Sequence, residues 1–210
     1  MTTLHCKTLL LLAVVYTLSA FPATAQQGGA SGVRTLNVVS ASEASRILFQ
    51  LDAPVETIKG TATDMKGAIT FDPQNLEATK GEILVSSGSL NTGLTLRDNH
   101  MIDKDWLDVS SYPTISCKIE KLIDVLIKNR DAQTGNIHAE AKAIGTFTLH
   151  GTTKPLTASL SLTFNKQTGQ IVVNTQFDIP WKEYGIKGKR TMGMTVGDIV
   201  KVDVLITGKS

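Results

Sequence analysis

Apolar and polar residues alternate along most of this chain. Ile47, Phe49 and Leu51 alternate with Arg46, Gln50 and Asp52. Ile115, Cys117 and Ile119 are interleaved with Thr114, Ser116, Lys118 and Glu120. Leu156, Ala158, Leu160, Leu162 and Phe164 stand opposite Thr157, Ser159, Ser161 and Thr163, and Val200, Val202, Val204 and Ile206 face away from Lys201 and Asp203. Successive strand side chains point to opposite faces, so each run predicts a strand with one apolar and one wet face. That pattern belongs to antiparallel sheet, because parallel strands are covered on both faces and read as continuous apolar runs. Turn-forming clusters fall between the runs, at Asp72-Pro73-Gln74-Asn75, Thr134-Gly135-Asn136, Lys166-Gln167-Thr168-Gly169 and residues 185–188. Long one-sided strands leave edges that need protection, and curling the sheet shut removes them. The chain therefore predicts an all-β fold, an antiparallel up-and-down barrel of about eight strands, with a two-sheet sandwich as the alternative. Only residues 96–107 lack the alternation; they predict a short helix near 97–107 with Asp98 as its N-cap.

One strand has an unusual inner face. Over residues 139–149 the apolar register reads Ala139, Ala141, Ala143, Gly145, Phe147, Leu149, with four consecutive positions of almost no side-chain volume. An eight-stranded barrel is just wide enough to be filled by its own side chains or to hold one small ligand. Either the small residues leave room in the lumen, or large neighbours such as Phe49, Phe71 and Phe164 fill the space. The alternation nominates Ile47, Phe49, Leu51, Phe71, Ile83, Val85, Ile115, Cys117, Ile119, Ala141, Ala143, Phe147, Leu160 and Phe177 as lumen-facing.

The first 25 residues read differently. Lys7 precedes an apolar run over residues 9–20, and Ala23-Thr24-Ala25 is a small-x-small cleavage pattern. The run is too short to span a bilayer, so residues 1–25 are expected to be a cleaved secretory signal, which makes the protein periplasmic or secreted. Residues 26–33 are small and polar, an expected flexible entry to a single domain over 34–208. Removing Lys7 takes the net charge from +2 to +1, which gives nucleic acid no overall field to meet. Cys6 leaves with the signal and Cys117 remains alone, so no intrachain disulfide is expected. No later stretch is long and apolar enough for a transmembrane helix.

With the strands placed, several motifs resemble those of the YceI-like family. "FTLHGTTKPL" (residues 147–156) is similar to that family's "LTLHGVTKPV" hairpin. Thr92-Gly93, Arg97-Asp98, His100-Met101, then Trp106-Leu107-Asp108-Val109 and Tyr112-Pro113-Thr114-Ile115 resemble its "T-G-x-x-x-R-D-x-H-L…F-D-V-x-x-Y-P-T-I" run. "VGDIVKVDVLITG" fits its last strand, and Cys117 stands where an aromatic is usual. The resemblance implies an exported, lipocalin-like barrel that holds a long amphiphile, a polyisoprenoid or isoprenoid quinone, in its lumen. It brings no catalytic residues and no cofactor beyond such a lipid.

The charged cluster over 97–108 contains Asp103, Asp105 and Asp108, which lack the further oxygen ligands and the glycine of a helix-loop-helix calcium loop. His138 and His150 lie at opposite ends of one strand, about 40 Å apart if extended, so they cannot share a metal. No nucleophile-elbow grouping of Ser, His and Asp occurs. The expected role is a latch: Asp98 holds a first helical turn, and Trp106 and Leu107 plug one barrel end. At the other end, "WKEYGIKGKR" (residues 181–190) offers Trp181, Tyr184, Lys187 and Lys189 as a mouth that greets a polar or anionic head group. Met192 and Met194 are expected to pack near that mouth as adaptable filler.

Overall fold

The computed structural model describes residues 32–39, 45–188 and 196–210. The expected antiparallel barrel is present. Eleven strands form one sheet: β1 (Arg34–Val39), β2 (Arg46–Asp52), β3 (Thr57–Ala62), β4 (Met65–Asp72), β5 (Asn75–Ser86), β6 (Leu90–Asn91), β7 (Thr114–Arg130), β8 (Ile137–Leu149), β9 (Thr152–Phe164), β10 (Gln170–Pro180) and β11 (Ile199–Lys209). Among the described residues one α-helix, α1 (Thr95–Ile102), sits between β6 and β7.

The count exceeds eight because two strands are broken. β3 and β4 form one bent strand interrupted at Thr63 and Asp64, and β5 and β6 form its partner, interrupted by the 3-10 turn Ser87–Ser89. Pairing continues across the break, with Met65 opposite Val85 on one side and Ala62 opposite Leu90 on the other. Backbone hydrogen bonds span it: Thr63 N–H donates to the Ser89 carbonyl at 3.2 Å and Ser86 N–H to that of Asp64 at 3.1 Å. From there the order runs β5, β7, β8, β9, β10, β11 and back to β2, which pairs with β3. With each broken strand taken once, eight staves follow in chain order and the ring returns on itself. β1 is additional. It pairs with β4 and lies against the end of β11, where a Cβ on Gly208 would collide with Leu36.

The two ends differ. The lower end has the turns at 73–74, 131–136 and 165–169, three of the four predicted from turn chemistry. The upper end has the connections at 53–56 and 92–113, the described residues 181–188 and 196–198 of the β10–β11 connection, and the tight β8–β9 turn. In that turn His150 (φ 50°) and Gly151 (φ 73°) are both left-handed, as a two-residue hairpin turn with the sheet's own twist requires. Tyr112 packs on the turn, its ring centroid 4.3 Å from that of His150, which leaves no space for a side chain at Gly151.

The small residues of β8 serve both purposes that the sequence left open. Ala139 and Ala141 lie in the filled lower half, opposite Leu162 and Leu160, near Phe71 and Phe164, whose rings meet edge to face at 5.6 Å. Ala143 and Gly145 lie in the upper half and border open space. Gly145 has a further reason to be small. Strand β7 bulges between Ile119 and Lys121, and the Lys118 carbonyl approaches so closely that any Cβ at 145 would overlap it. Gly145→Ala should therefore destabilise the fold by about 2–3 kcal/mol in chemical denaturation, although one methyl group is added to a site beside a cavity. A neutral effect would mean that the bulge moves freely.

Candidate functional site

The upper half of the barrel encloses a cavity of about 810 Å³. That is within the range of pockets that take a small organic ligand. Its wall is made by the inward faces of β2, β7, β8, β9, β10 and β11, with β3 to β5 closing the circle, and is apolar almost throughout. Of the residues nominated from the alternation, Ile47, Phe49, Leu51, Ile83, Val85, Ile115, Cys117, Ile119, Ala143, Phe147, Leu160 and Phe177 border it. Phe71 and Ala141 do not. They point inward as expected but below the cavity, where Phe164, Leu162 and β1 fill the barrel. The alternation sets which face a residue takes, not its height in the barrel.

Strands β9 and β10 diverge toward the upper end. They pair from Ile171 opposite Phe164 to Gln176 opposite Ser159 and then separate, although β9 remains paired with β8 down to Thr152. Pro155, which has no N–H to give, lies in the stretch of β9 that has no partner on β10. A 3-10 turn, Trp181–Tyr184, folds back from β10 into the resulting wedge. Tyr184 is buried there, edge-on to Phe147 at 5.9 Å, and its carbonyl accepts a hydrogen bond from the Thr152 hydroxyl at 3.3 Å. Lys154 and Glu183 pair across the outside of the wedge at 2.6 Å.

This corrects the expected placement of the 181–190 segment. Its described part, residues 181–188, is not at the opposite end from the 97–108 cluster; the two meet. Trp181 stacks on Trp106 with ring centroids 5.5 Å apart, and Gly188 N–H donates to the Asp105 carbonyl at 2.9 Å. Trp181 is buried, with its indole N–H donating to the Gly197 carbonyl at 2.7 Å, and borders the cavity as a wall residue; Tyr184 is buried behind Phe147 and does not border it. Lys187 is exposed and does not border the cavity. Lys189 lies outside the described residues, as do Arg190, Met192 and Met194.

The charged cluster is used much as a latch would be. Helix α1 begins at Thr95, and its N-cap is Leu94 rather than Asp98. Asp98 instead reaches back, accepting hydrogen bonds from the Thr92 N–H at 2.8 Å and the Thr92 hydroxyl at 2.7 Å. Arg97 pairs with Glu56 on the β2–β3 connection. Trp106 and Leu107 are half-buried and border the cavity, whereas no residue of α1 is buried. The Ser110 hydroxyl, donating at 2.8 Å, and Ser111 hold the Asp108 carboxyl below the usual range. Among the described residues no group of three or more His, Cys, Asp or Glu is placed to hold a metal ion.

The mouth lies between the β2–β3 connection and α1, and the alternation gave no sign of it. Val55 on one bank is 83% exposed, and Leu94 and Leu96 on the other are 53% and 71% exposed; all three also border the cavity. Glu56, Arg97 and His100 share this rim. The only available signal was the presence of apolar side chains in segments too short or too irregular to be strands.

Cys117 faces the lumen, and burial, followed by the charge of Glu82, pushes its thiol up to about 11 from the ordinary 9.0. It is protonated at neutral pH, unlike a thiolate nucleophile. The unfolded chain releases this proton near pH 9 and the folded chain near pH 11. The raised value therefore costs nothing below pH 9 and removes ~2–3 kcal/mol of stability as pH rises from 9 to 11. Cys117→Ala should show a correspondingly shallower loss of stability over that interval in denaturant titrations. Parallel curves for the two proteins would place the thiol in contact with water.

Three comparisons agree with this geometry. A family model described as the YceI-like domain matches residues 39–207. A UPF0312 protein of Pseudomonas syringae pv. syringae is 31% identical over 139 residues, covering 65% of this chain and 61% of that protein, and one of Pseudomonas putida is 28% identical over 152 residues, covering 70% and 72%. In fold, the chain is similar to Burkholderia cenocepacia BcnA (TM-score 0.66, 13% identity, 79% of this chain and 96% of that one). It is also similar to a polyisoprenoid-binding domain from Saccharophagus degradans (TM-score 0.61, 15% identity, 84% and 98%).

Proposed function

The chain belongs to the YceI-like domain family, and on that premise we propose that it is an exported binding protein that holds a long apolar amphiphile, an isoprenoid or similar lipid, in the barrel lumen. The observation that carries the proposal is the cavity of about 810 Å³, walled by aliphatic and aromatic side chains and reached through an apolar rim. Each CH₂ moved from water into such a space yields about 0.8 kcal/mol, so a tail of ten carbons outweighs an ordering cost of several kcal/mol. The polyisoprenoid-binding description of the Saccharophagus degradans domain supports the choice of ligand class.

Export rests on residues 1–25, whose apolar run and small-x-small site fit a cleaved signal; they lie outside the described residues. No helix among the described residues is long and apolar enough to cross a membrane. A binder is favoured over an enzyme because the lumen wall is apolar almost throughout and the Cys117 thiol, His138 and His150 are held apart from the polar rim. Cys117 is held as a thiol. His150 is packed on Tyr112, and His138 contacts Thr163 at 3.2 Å toward the lower end.

Native mass spectrometry of the purified protein, followed by organic extraction, should find an apolar molecule in a one-to-one complex. A pair of substitutions on β8 tests the location. Ala143→Phe projects into the cavity and should reduce uptake of a fluorescent apolar probe at least tenfold, with a stability change of less than about 1.5 kcal/mol. Ala141→Phe, two residues lower in packed core, should cost about 2–3 kcal/mol or more. Unaltered uptake by a folded Ala143→Phe protein would remove the lumen as the site.

A further inference from the structure

Besides the Cys117 thiol, four titratable side chains border the cavity among the described residues, Glu56, Arg97, His100 and Lys118. Lys118 is an exposed residue of β7, in the outward-pointing register between Cys117 and Ile119. The other three lie together at the mouth. Glu56 comes from the β2–β3 connection, and Arg97 and His100 are one turn apart on α1. An amphiphile whose tail fills the apolar lumen leaves its polar end at this rim.

We propose that the Glu56–Arg97 pair selects the head group, favouring an uncharged oxygen acceptor, such as an alcohol or a quinone carbonyl, over a phosphate or diphosphate. The inference rests on the lipid-carrier reading above. Its physical basis is charge balance. Arg97 is already paired with Glu56, so the two together contribute no net charge at the rim. An anionic head brought here would lose water, compete with Glu56 for the guanidinium and meet the carboxylate at close range; among the described residues the one unpaired cation bordering the cavity, Lys118, is on β7 and points outward, away from this rim. An uncharged acceptor needs only a hydrogen bond, and the guanidinium has five N–H donors, more than one carboxylate uses. His100 offers a further ring nitrogen beside it. Of the basic residues first expected to receive the head, Lys187 does not border the cavity and Lys189 lies outside the described residues.

The test compares two ligands with the same tail, geranylgeraniol and geranylgeranyl diphosphate, as competitors of a fluorescent apolar probe, below their aggregation limits. Wild type should bind the alcohol more tightly. Glu56→Gln, which leaves Arg97 uncompensated, should shift the alcohol-to-diphosphate affinity ratio toward the diphosphate by about fivefold. Arg97→Gln, which leaves the carboxylate alone, should shift it in the opposite direction. Both shifts should shrink in high salt, since the pair is partly exposed. Glu56 lies in an exposed connection and Arg97 on a helix with no buried residue, so the two variants are independent tests if either folds poorly. A wild type that prefers the diphosphate, or a ratio that neither substitution moves, overturns the selection while leaving the carrier reading intact. Failure of both ligands to displace the probe removes the carrier reading as well.

Discussion

The pairing of Thr61 and Ala62 with Asn91 and Leu90 joins the last gap in the ring of strands, and the interior follows from that closure. A curled sheet with an apolar inner face has two problems, unpaired backbone groups at its edges and water at its core. Hydrogen bonds across the breaks at 63–64 and 87–89 solve the first, because they let β3/β4 bend without losing their partner. The bend also turns β4 away from β2, and β1 occupies the space thus opened beside β11.

The barrel then divides by height. Below, Phe71, Phe164, Leu36 and Leu162 fill it as an ordinary core. Above, two features keep room free: Ala143 and Gly145 on β8, and the divergence of β9 from β10, which widens the ring instead of closing it. That divergence would admit water if left open. The Trp181–Tyr184 turn seals it, and Trp106 stacked on Trp181 continues the seal across the top. Among the described residues an opening remains between residues 53–56 and α1, where an ion pair spans an otherwise apolar rim.

Much of this was legible in the chain. The period of two identified β2, β7, β8, β9 and β11, the turn clusters located three of the hairpins, and Ile83, Ile115 and Phe177, nominated as lumen-facing, border the cavity. Two kinds of information were not available. Position along the barrel axis depends on register between strands, which alternation does not encode; hence Phe71 and Ala141 were grouped with residues that border the cavity. The meeting of segments 97–108 and 181–188 depends on which end of a stave each leaves from. Both follow strands that end at the same rim, and the Trp106–Trp181 contact joins residues 75 positions apart. The charges of the mouth were legible only singly: Arg97 was visible in its motif, but nothing local to Glu56 indicates its partner 41 residues away.

The central claim is that the upper half of the barrel is empty enough, and dry enough, to be entered. Xenon occupies apolar cavities of this kind without polar contacts. Crystals held under xenon pressure should show ordered xenon among Phe49, Cys117, Ala143 and Phe177 and none among Phe71, Ala139 and Phe164. A lumen without xenon, with side chains collapsed into the space beside Ala143, would contradict the account.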